Sequence, residues 1–380
     1  MIRIAAIEPA GRLYGSEFCL LDIVSGLPNT EFDWRVFLPA GLGFDKLLHG
    51  IDIPCEFLIP ATLGQLPKFK KALVYLRVMN RLRQLRPDLL YINQAGSLRA
   101  GAMYAKWLKL PVVCQVQTLE DARFVSARPD LQRHVYAFIC NSVFIGDRTN
   151  VAPDKKCVLY QGMQPARAEN AKKNAERLLA KAIINTESCT FGILGRIAVS
   201  KGHYLLLDAI KQLENRLPGS RFYVVGEGLT PADTKAYQDA VADAGLANRF
   251  VFRGYQTNIE KELSTIDVLL IPSIAEPLGR VLFDAAEFGV PVVISDGGGL
   301  GEVGKRFAIG VPFSTEDPAA LANAMVELAE NFDMHRTTFA KSAVAMIQRM
   351  NMDSYLTVVS RILRAGTQRQ CSAMVWQADD

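Results

Sequence analysis

Short, β-branched apolar runs alternate with longer segments of helical period along most of this chain. That alternation restricts it to open parallel sheets covered by helices. A first series of runs comprises Ile2–Ile7, 34–38, Leu89–Ile92, Val112–Val116, Ala137–Cys140 and 158–160. A second comprises 191–194, Arg221–Val225, 249–252, Val268–Ile271 and 292–294. Runs such as LLYI and VLLI are apolar at every position, as strands buried on both faces are. Turn residues follow many of them, and the intervening stretches are long enough for crossover helices. So many strands in one open sheet would approach the upper end of what is common, which predicts two sheets. The length of 380 residues also fits two domains. A polar stretch rich in Ala, Lys, Asn and Glu separates the two series and reads as a connection over 166–187, with an amphipathic helix over 176–183.

Composition narrows the function classes. Apolar residues make up 49% and charged residues 22%, an ordinary globular balance. A net charge of +4 is too small to imply a nucleic-acid partner. Seven cysteines, with no Cys-x-x-Cys pair, fit neither a disulfide framework nor a structural zinc site, and agree with a reducing compartment. The N-terminal MIRIAAIEPAGRLYG lacks the long apolar core of a signal peptide, and no window approaches a membrane span. The expected location is the cytoplasm, with the inner face of the membrane left open. That opening comes from the stretch 68–86, KFKKALVYLRVMNRLRQLR, which holds seven basic residues from Lys68 to Arg86 and no acidic one. Its apolar positions Phe69, Leu73, Leu76 and Met79 follow helical spacing. The stretch fits an amphipathic helix with a solvated basic face, or a surface that meets anionic lipid or a lipid-diphosphate acceptor.

Three stretches could carry chemistry. In IPSIAEPLGRVLFDAAEFGVPVVISD, a buried strand ends before a helix expected to start near 277–279. Backbone amides around Leu278, Gly279, Arg280 and Val281 could hold a diphosphate there. Glu276 precedes this helix and Asp284 lies eight positions on, about two turns away. Both carboxylates could accept hydrogen bonds from sugar hydroxyls, and both equally suit a role at the helix dipole. In FGILGRIAVSKGHYLLLDAI a strand runs into a turn at Gly195, then Arg196 and Lys201. Two cations at the carboxyl end of a parallel strand can hold an anion, or can simply be solvated. Finally, Gly15, Ser16 and Glu17 open a helix after the first strand, where backbone amides could approach a phosphate or acceptor.

In combination these motifs resemble the retaining glycosyltransferases of the GT-B fold, in particular the family 4 (glycosyl transferases group 1) enzymes of bacterial polysaccharide and glycolipid assembly. GRIAVSKG resembles the family's Gly-Arg-Leu…Lys-Gly segment. FYVVGEG and FVFRGY resemble two further strands, with Gly226, Gly228 and Gly254 at their turns. EPLGRVLFDA matches the Glu-x7-Glu element, and GGGLGE resembles the Gly-Gly-x-Pro-Glu loop. GSE, the strand end at Asn141 and Ser142, and VLYQGM extend a looser likeness into the first half.

The resemblance implies two Rossmann-like domains facing each other across a cleft. The acceptor-side domain would cover 1–165 and the donor domain 188–350. A helix over 351–366 would return to the first domain, leaving a polar tail, 367–380, loosely held. A sugar would move from a UDP- or GDP-sugar, a co-substrate rather than a cofactor, to a saccharide or lipid-linked acceptor without a metal. Glu276, Arg196 and Lys201 take the catalytic roles. Gly195, Gly226, Leu278, Gly279, Arg280, Val281 and Asp284 line the donor, and Gly15, Ser16 and Gln117 the acceptor or sugar side.

Three positions depart from the family pattern. Asp284 replaces Glu, Gly301 replaces proline, and Gln117 (or Gln115) stands where the family often has an active-site His. Glutamine can hydrogen-bond a sugar but carries no proton or charge. These departures keep open a catalytically inactive sugar-nucleotide-binding protein of the same fold, and a sugar-nucleotide epimerase is a second alternative. Two further readings are weak. Gly299, Gly301 and Gly304 fit a dinucleotide fingerprint, but little chain follows them. A P-loop ending at Lys305 meets Arg306 where Ser or Thr is needed. No Asp-x-Asp triplet occurs, and His49, His134, His203 and His335 show no metal-ligand spacing. Of the four, His203 stands closest to the expected site.

Overall fold

The structure, a computed structural model, describes residues 1–11, 13, 15–180, 188–213 and 216–368. It divides into two compact units. One holds residues 1–162 together with the chain from Met352 onward, and the other holds Met163–Asn351.

The first unit contains β1 (Ile2–Ile7), β2 (Phe32–Phe37), β3 (Cys55–Glu56), β4 (Leu89–Ile92), β5 (Val112–Val116), β6 (Ala137–Cys140) and β7 (Lys156–Val158). They form one sheet in the order β3-β2-β1-β4-β5-β6-β7, parallel throughout. Alternate side chains along β1 feed two cores. Ile4 and Ala6 join one core with Leu20, Trp34, Tyr91, Val359 and Ile362. Ala5 and Ile7 join the other with Val78, Leu82, Leu98 and Ala102. Helices Gly15–Gly26 and Met352–Gln368 therefore cover one face, and Lys68–Leu85 and Leu98–Leu108 the other.

The second unit contains β8 (Thr190–Leu194), β9 (Arg221–Val225), β10 (Phe250–Gly254), β11 (Val268–Ile271), β12 (Val292–Ser295) and β13 (Val311–Phe313). Their order is β10-β9-β8-β11-β12-β13, again parallel. The long apolar runs sit where the sequence places them. The differences are at edges: β3 and β13 escape sequence reading because one is two residues long and the other contains Pro312. Proline is tolerated there because an edge strand leaves amides unpaired. The run expected at 158–160 begins instead at Lys156, a polar start typical of an edge.

Two further expectations change. The stretch read as a connection is helical from its start, Pro165–Ala180, and this helix packs within the second unit against Arg280–Phe288 and Phe332–Arg349. The helix expected over 176–183 passes outside the described residues after 180, as the tail expected over 367–380 does from 369. In helix Lys68–Leu85 the buried side chains are Val74, Val78, Met79 and Leu82. Of the apolar positions singled out in sequence, only Met79 is buried.

The helix Met352–Gln368 supplies core to a unit from which it is distant in sequence. Gly26 receives it so closely that a Cβ there would stand 2.3 Å from Leu356. Ile362 is fully buried, so Ile362→Ala removes most of a core side chain and should cost about 2–5 kcal/mol. Urea denaturation read by hydrogen exchange should show the loss across β1, β2 and β4, with the second unit unchanged. Unaltered protection in those strands would show that the helix does not stabilise the first unit.

Candidate functional site

Strand order reverses direction once in each sheet, between β1 and β4 and between β8 and β11. In parallel α/β sheets the carboxyl ends at such a point leave a crevice for ligands. Polar residues occupy that place in both units.

In the second unit, Gly195 (φ 130°) directly follows β8 and Gly226 (φ 139°) directly follows β9. A Cβ on Gly226 would lie 2.0 Å from the Gly195 carbonyl oxygen, so no other residue fits without displacing backbone. Gly226 in turn donates its N–H to Gly254 O at 2.8 Å. These three glycines, singled out in sequence, are thus one backbone cluster. Arg196 is exposed beside it. Lys201 ends a short 3₁₀ turn, Val199–Lys201, and Gly202 (φ 78°) follows. There a Cβ would fall 2.0 Å from Pro272 O, past the end of β11. That close approach lets Lys201 Nζ donate to Glu276 Oε2 at 2.5 Å. Both side chains are partly open to solvent, 32% for Lys201 and 16% for Glu276, so a ligand can reach them.

The helix after Glu276 starts at Arg280, later than expected, with Gly279 (φ 87°) as its cap. Leu278 lies outside it with a buried side chain, so only its backbone is available to a ligand. The glycine-rich segment packs beneath. Gly299 N–H donates to Glu276 O at 2.8 Å, and a Cβ on Gly298 would stand 2.5 Å from that same oxygen. Gly299, Gly301 and Gly304 all lie inside the helix Gly298–Phe307. They form no phosphate-binding loop, which removes both the dinucleotide and the P-loop readings.

Asp284, expected to line the donor, is engaged in an ion pair. One of its oxygens and one of Glu287 are held by the Arg167 guanidinium. Asn170 donates to the other Glu287 oxygen at 3.0 Å. The arrangement ties helix Pro165–Ala180 to helix Arg280–Phe288, leaving the Asp284 side chain 30% exposed. Nothing local in the sequence points to Arg167, whose partners lie 117 and 120 positions away. His203 is fully buried and packs edge-on against Tyr237. Burial pushes its imidazole down to about 4, so it is a neutral core residue.

In the first unit, Gly15 and Ser16 do open a helix, Gly15–Gly26. Gln117 stands just past β5, its amide donating to Asn93 O at 3.2 Å, and Asn141 past β6 donates to Gln117 O at 3.1 Å. Gln115 points into the core toward the Tyr91 hydroxyl, 2.6 Å away, so Gln117 is the glutamine at the strand ends. Ser142 caps the following helix through Ile145 N–H.

Sequence reading missed the centre of this cluster. Glu8, directly after β1, is fully buried and accepts from Asn93 Nδ2 at 2.5 Å, Gln94 Nε2 at 3.0 Å and Ala10 N–H at 2.8 Å. The same Gln94 amide reaches Ser16 Oγ and Glu17 Oε1, both at 3.1 Å, while Ser16 donates to Glu17 Oε2 at 2.8 Å. Polar residues directly after buried runs, IRIAAIE and LLYINQ, were the available signal. Among the described residues no group of three or more His, Cys, Asp or Glu is placed to hold a metal ion.

Burial, reinforced by the nearby Glu17 and opposed by the Asn93 and backbone hydrogen bonds, pushes the Glu8 carboxyl up to about 7 from an ordinary 4.5. The folded chain therefore keeps a proton that the unfolded chain loses as pH rises through that window, and stability falls across it, on the order of 3 kcal/mol. Glu8→Gln should abolish this decline in the first unit's urea midpoint between pH 4.5 and 7.5. An equal decline in the variant would assign the pH dependence to other groups.

Residues 188–331 match the sequence profile of the family described as glycosyl transferases group 1. The 2-deoxystreptamine glucosyltransferase of Streptomyces kanamyceticus is 39% identical over 38% of this chain and 37% of its own length. The chain thus spans little more than a third of that relative. A 23% identical relative from Escherichia coli, a UDP-Gal:alpha-D-GlcNAc-diphosphoundecaprenol alpha-1,3-galactosyltransferase, aligns over 87% of this chain and 88% of its own. Among solved structures, Anabaena HepE in complex with UDP and glucose superposes with a TM-score of 0.79 at 22% identity, covering 96% of this chain and all of that one. The fold is that of the GT-B glycosyltransferases, two α/β domains each built on a parallel sheet.

Proposed function

We propose that this chain is a glycosyltransferase. It moves a sugar from a UDP-sugar to a hydroxyl of a saccharide or lipid-linked acceptor, with retention at the anomeric carbon and without a metal ion. The observation that carries this reading is the Lys201–Glu276 pair at the point of reversed strand order in the second sheet. It lies within the segment that matches the family profile. The UDP and glucose bound by HepE and the UDP-Gal named for the E. coli relative favour uridine donors over guanosine ones.

In this reading the diphosphate rests near Arg196, Lys201 and the backbone amides of Gly279, Arg280 and Val281 at the start of their helix. Gly195 and Gly226 bring backbone close to it. Breaking the bond from the anomeric carbon to the diphosphate leaves negative charge on the departing nucleotide, and fixed cations and amides stabilise that charge as it develops. Glu276 turns from Lys201 to the hydroxyls of the transferred sugar, and the free oxygen of Asp284 is left for the ribose. The acceptor oxygen bonds to the anomeric carbon from the face the diphosphate leaves, and a diphosphate oxygen takes its proton. No protein nucleophile is then needed. Gly15, Ser16 and Gln117 belong to the acceptor side. Among the described residues no helix is long and apolar enough to cross a membrane. We place the enzyme in the cytoplasm, in bacterial polysaccharide or glycolipid assembly.

Turnover of UDP-sugars against a saccharide and polyprenyl-diphosphate acceptor set tests the proposal, with product configuration read by proton NMR. We expect a retained anomer and a rate unchanged by EDTA. Glu276→Gln and Lys201→Met should each lower kcat/KM about a hundredfold, equivalent to roughly 2.7 kcal/mol of transition-state stabilisation. An inverted product, a rate abolished by EDTA, or variants as active as the natural chain would contradict it.

A further inference from the structure

Arg167 stands in the first turn of helix Pro165–Ala180, and its guanidinium ends between two carboxylates of helix Arg280–Phe288. Nη2 donates to Asp284 Oδ1, and Nε donates to Glu287 Oε2. Asp284 and Glu287 are three positions apart on one helix face, where like charges repel. A guanidinium fork can hold both at once. The two carboxylates differ in what else supports them. Glu287 is 9% exposed. Asn170 Nδ2 donates to its Oε1 at 3.0 Å, and Asn174 Nδ2 donates to its backbone carbonyl at 2.9 Å. The helices meet again just beyond, where a Cβ on Gly289 would stand 2.7 Å from Asn174 O. Contact between the two helices is therefore secured without Asp284. Among the described residues Asp284 accepts from Arg167 alone, and its side chain remains 30% exposed. Burial pushes the Asp284 carboxyl up, Arg167 and Arg280 pull it down, and Glu287 adds to the rise.

We infer that Arg167 is the positioning residue for ribose recognition: by fixing Oδ1 of Asp284 it aims the other carboxylate oxygen at the ribose hydroxyls of the donor. The inference rests on the sugar-transfer reading, in which Asp284 serves the ribose. An aspartate is one methylene shorter than the glutamate of the family pattern, so its reach depends more on where its remaining oxygen points. Charge matters as well as aim. An ionised carboxylate only accepts hydrogen bonds, as two donating hydroxyls require, whereas a protonated one gives up part of that capacity. Arg167 acts through Asp284 rather than on the nucleotide. A packing role alone would affect the ribose and the rest of the nucleotide equally, and that difference separates the two accounts.

The test is isothermal titration of UDP and of 2′,3′-dideoxy-UDP, which lacks both ribose hydroxyls, into the full chain and its variants. The natural chain should bind UDP about tenfold or more tightly than the dideoxy analogue, since hydrogen bonds to a charged group are the strong ones. In Arg167→Met that ratio should fall below about threefold, with affinity for the analogue within about threefold of natural. Glu287→Gln loosens the same pair of helices but leaves Asp284 to Arg167, and it should keep the natural ratio. Arg167→Met leaves two carboxylates without their cation and can cost the second unit its unfolding transition. Arg167→Lys then carries the test. Its single ammonium lacks the fork that spans both carboxylates, and the ratio should fall about threefold or more. A natural chain that binds both ligands equally, an unchanged ratio in the Arg167 variants, or equal weakening of both ligands would overturn the inference alone. No binding of UDP to the natural chain would overturn the sugar-transfer reading, and the inference with it.

Discussion

Parallel pairing throughout both sheets brings every strand's carboxyl end out on the same edge of its sheet, and most of the candidate site residues lie along those edges. Where strand order reverses, neighbouring crossovers leave in opposite directions and the edge is open. In the second unit the backbone itself shapes this opening. Gly195, Gly226 and Gly254 touch through main-chain atoms, and Gly202 lies against Pro272. Only with no side chain at these points can the turn after β8 come near enough to the segment after β11 for Lys201 to reach Glu276.

The same edge in the first unit is organised by side chains instead. Glu8, Asn93, Gln94, Ser16 and Glu17 share one hydrogen-bond network, with the Gln94 amide between two carboxylates. Burial and the nearby Glu17 carboxylate together raise the Glu8 carboxyl. The effect of the network is to fix the first turn of helix Gly15–Gly26 and the Ser16 hydroxyl with it. One unit thus offers cations and close backbone, and the other neutral and acidic hydrogen-bonding groups.

Most of the fold was legible because buried parallel strands are apolar at every position. LLYI, AFIC and VLLI bound the strands to the residue. Edges were not legible, since β13 accommodates Pro312 and β7 starts on lysine. Of the site, the glycine turns, Lys201 and Glu276 could be found by motif. Arg167 could not, because a salt bridge across 117 residues leaves no local pattern. Glu8 and Gln94 could have been found by asking which polar residues follow apolar strands. Which face of helix Lys68–Leu85 the sheet covers was not legible, for a different reason. It carries apolar residues on two sides, and periodicity alone cannot say which side the sheet covers.

The proposed sugar transfer requires a nucleoside diphosphate to be held by the cations at the carboxyl end of β8. Isothermal titration of UDP into the natural chain and into Lys201→Met, without added metal, tests it most directly. Binding at least tenfold weaker in the variant, with the second unit's unfolding transition retained, is the predicted result. Equal affinity in the two proteins, or no binding of UDP to the natural chain, would contradict it.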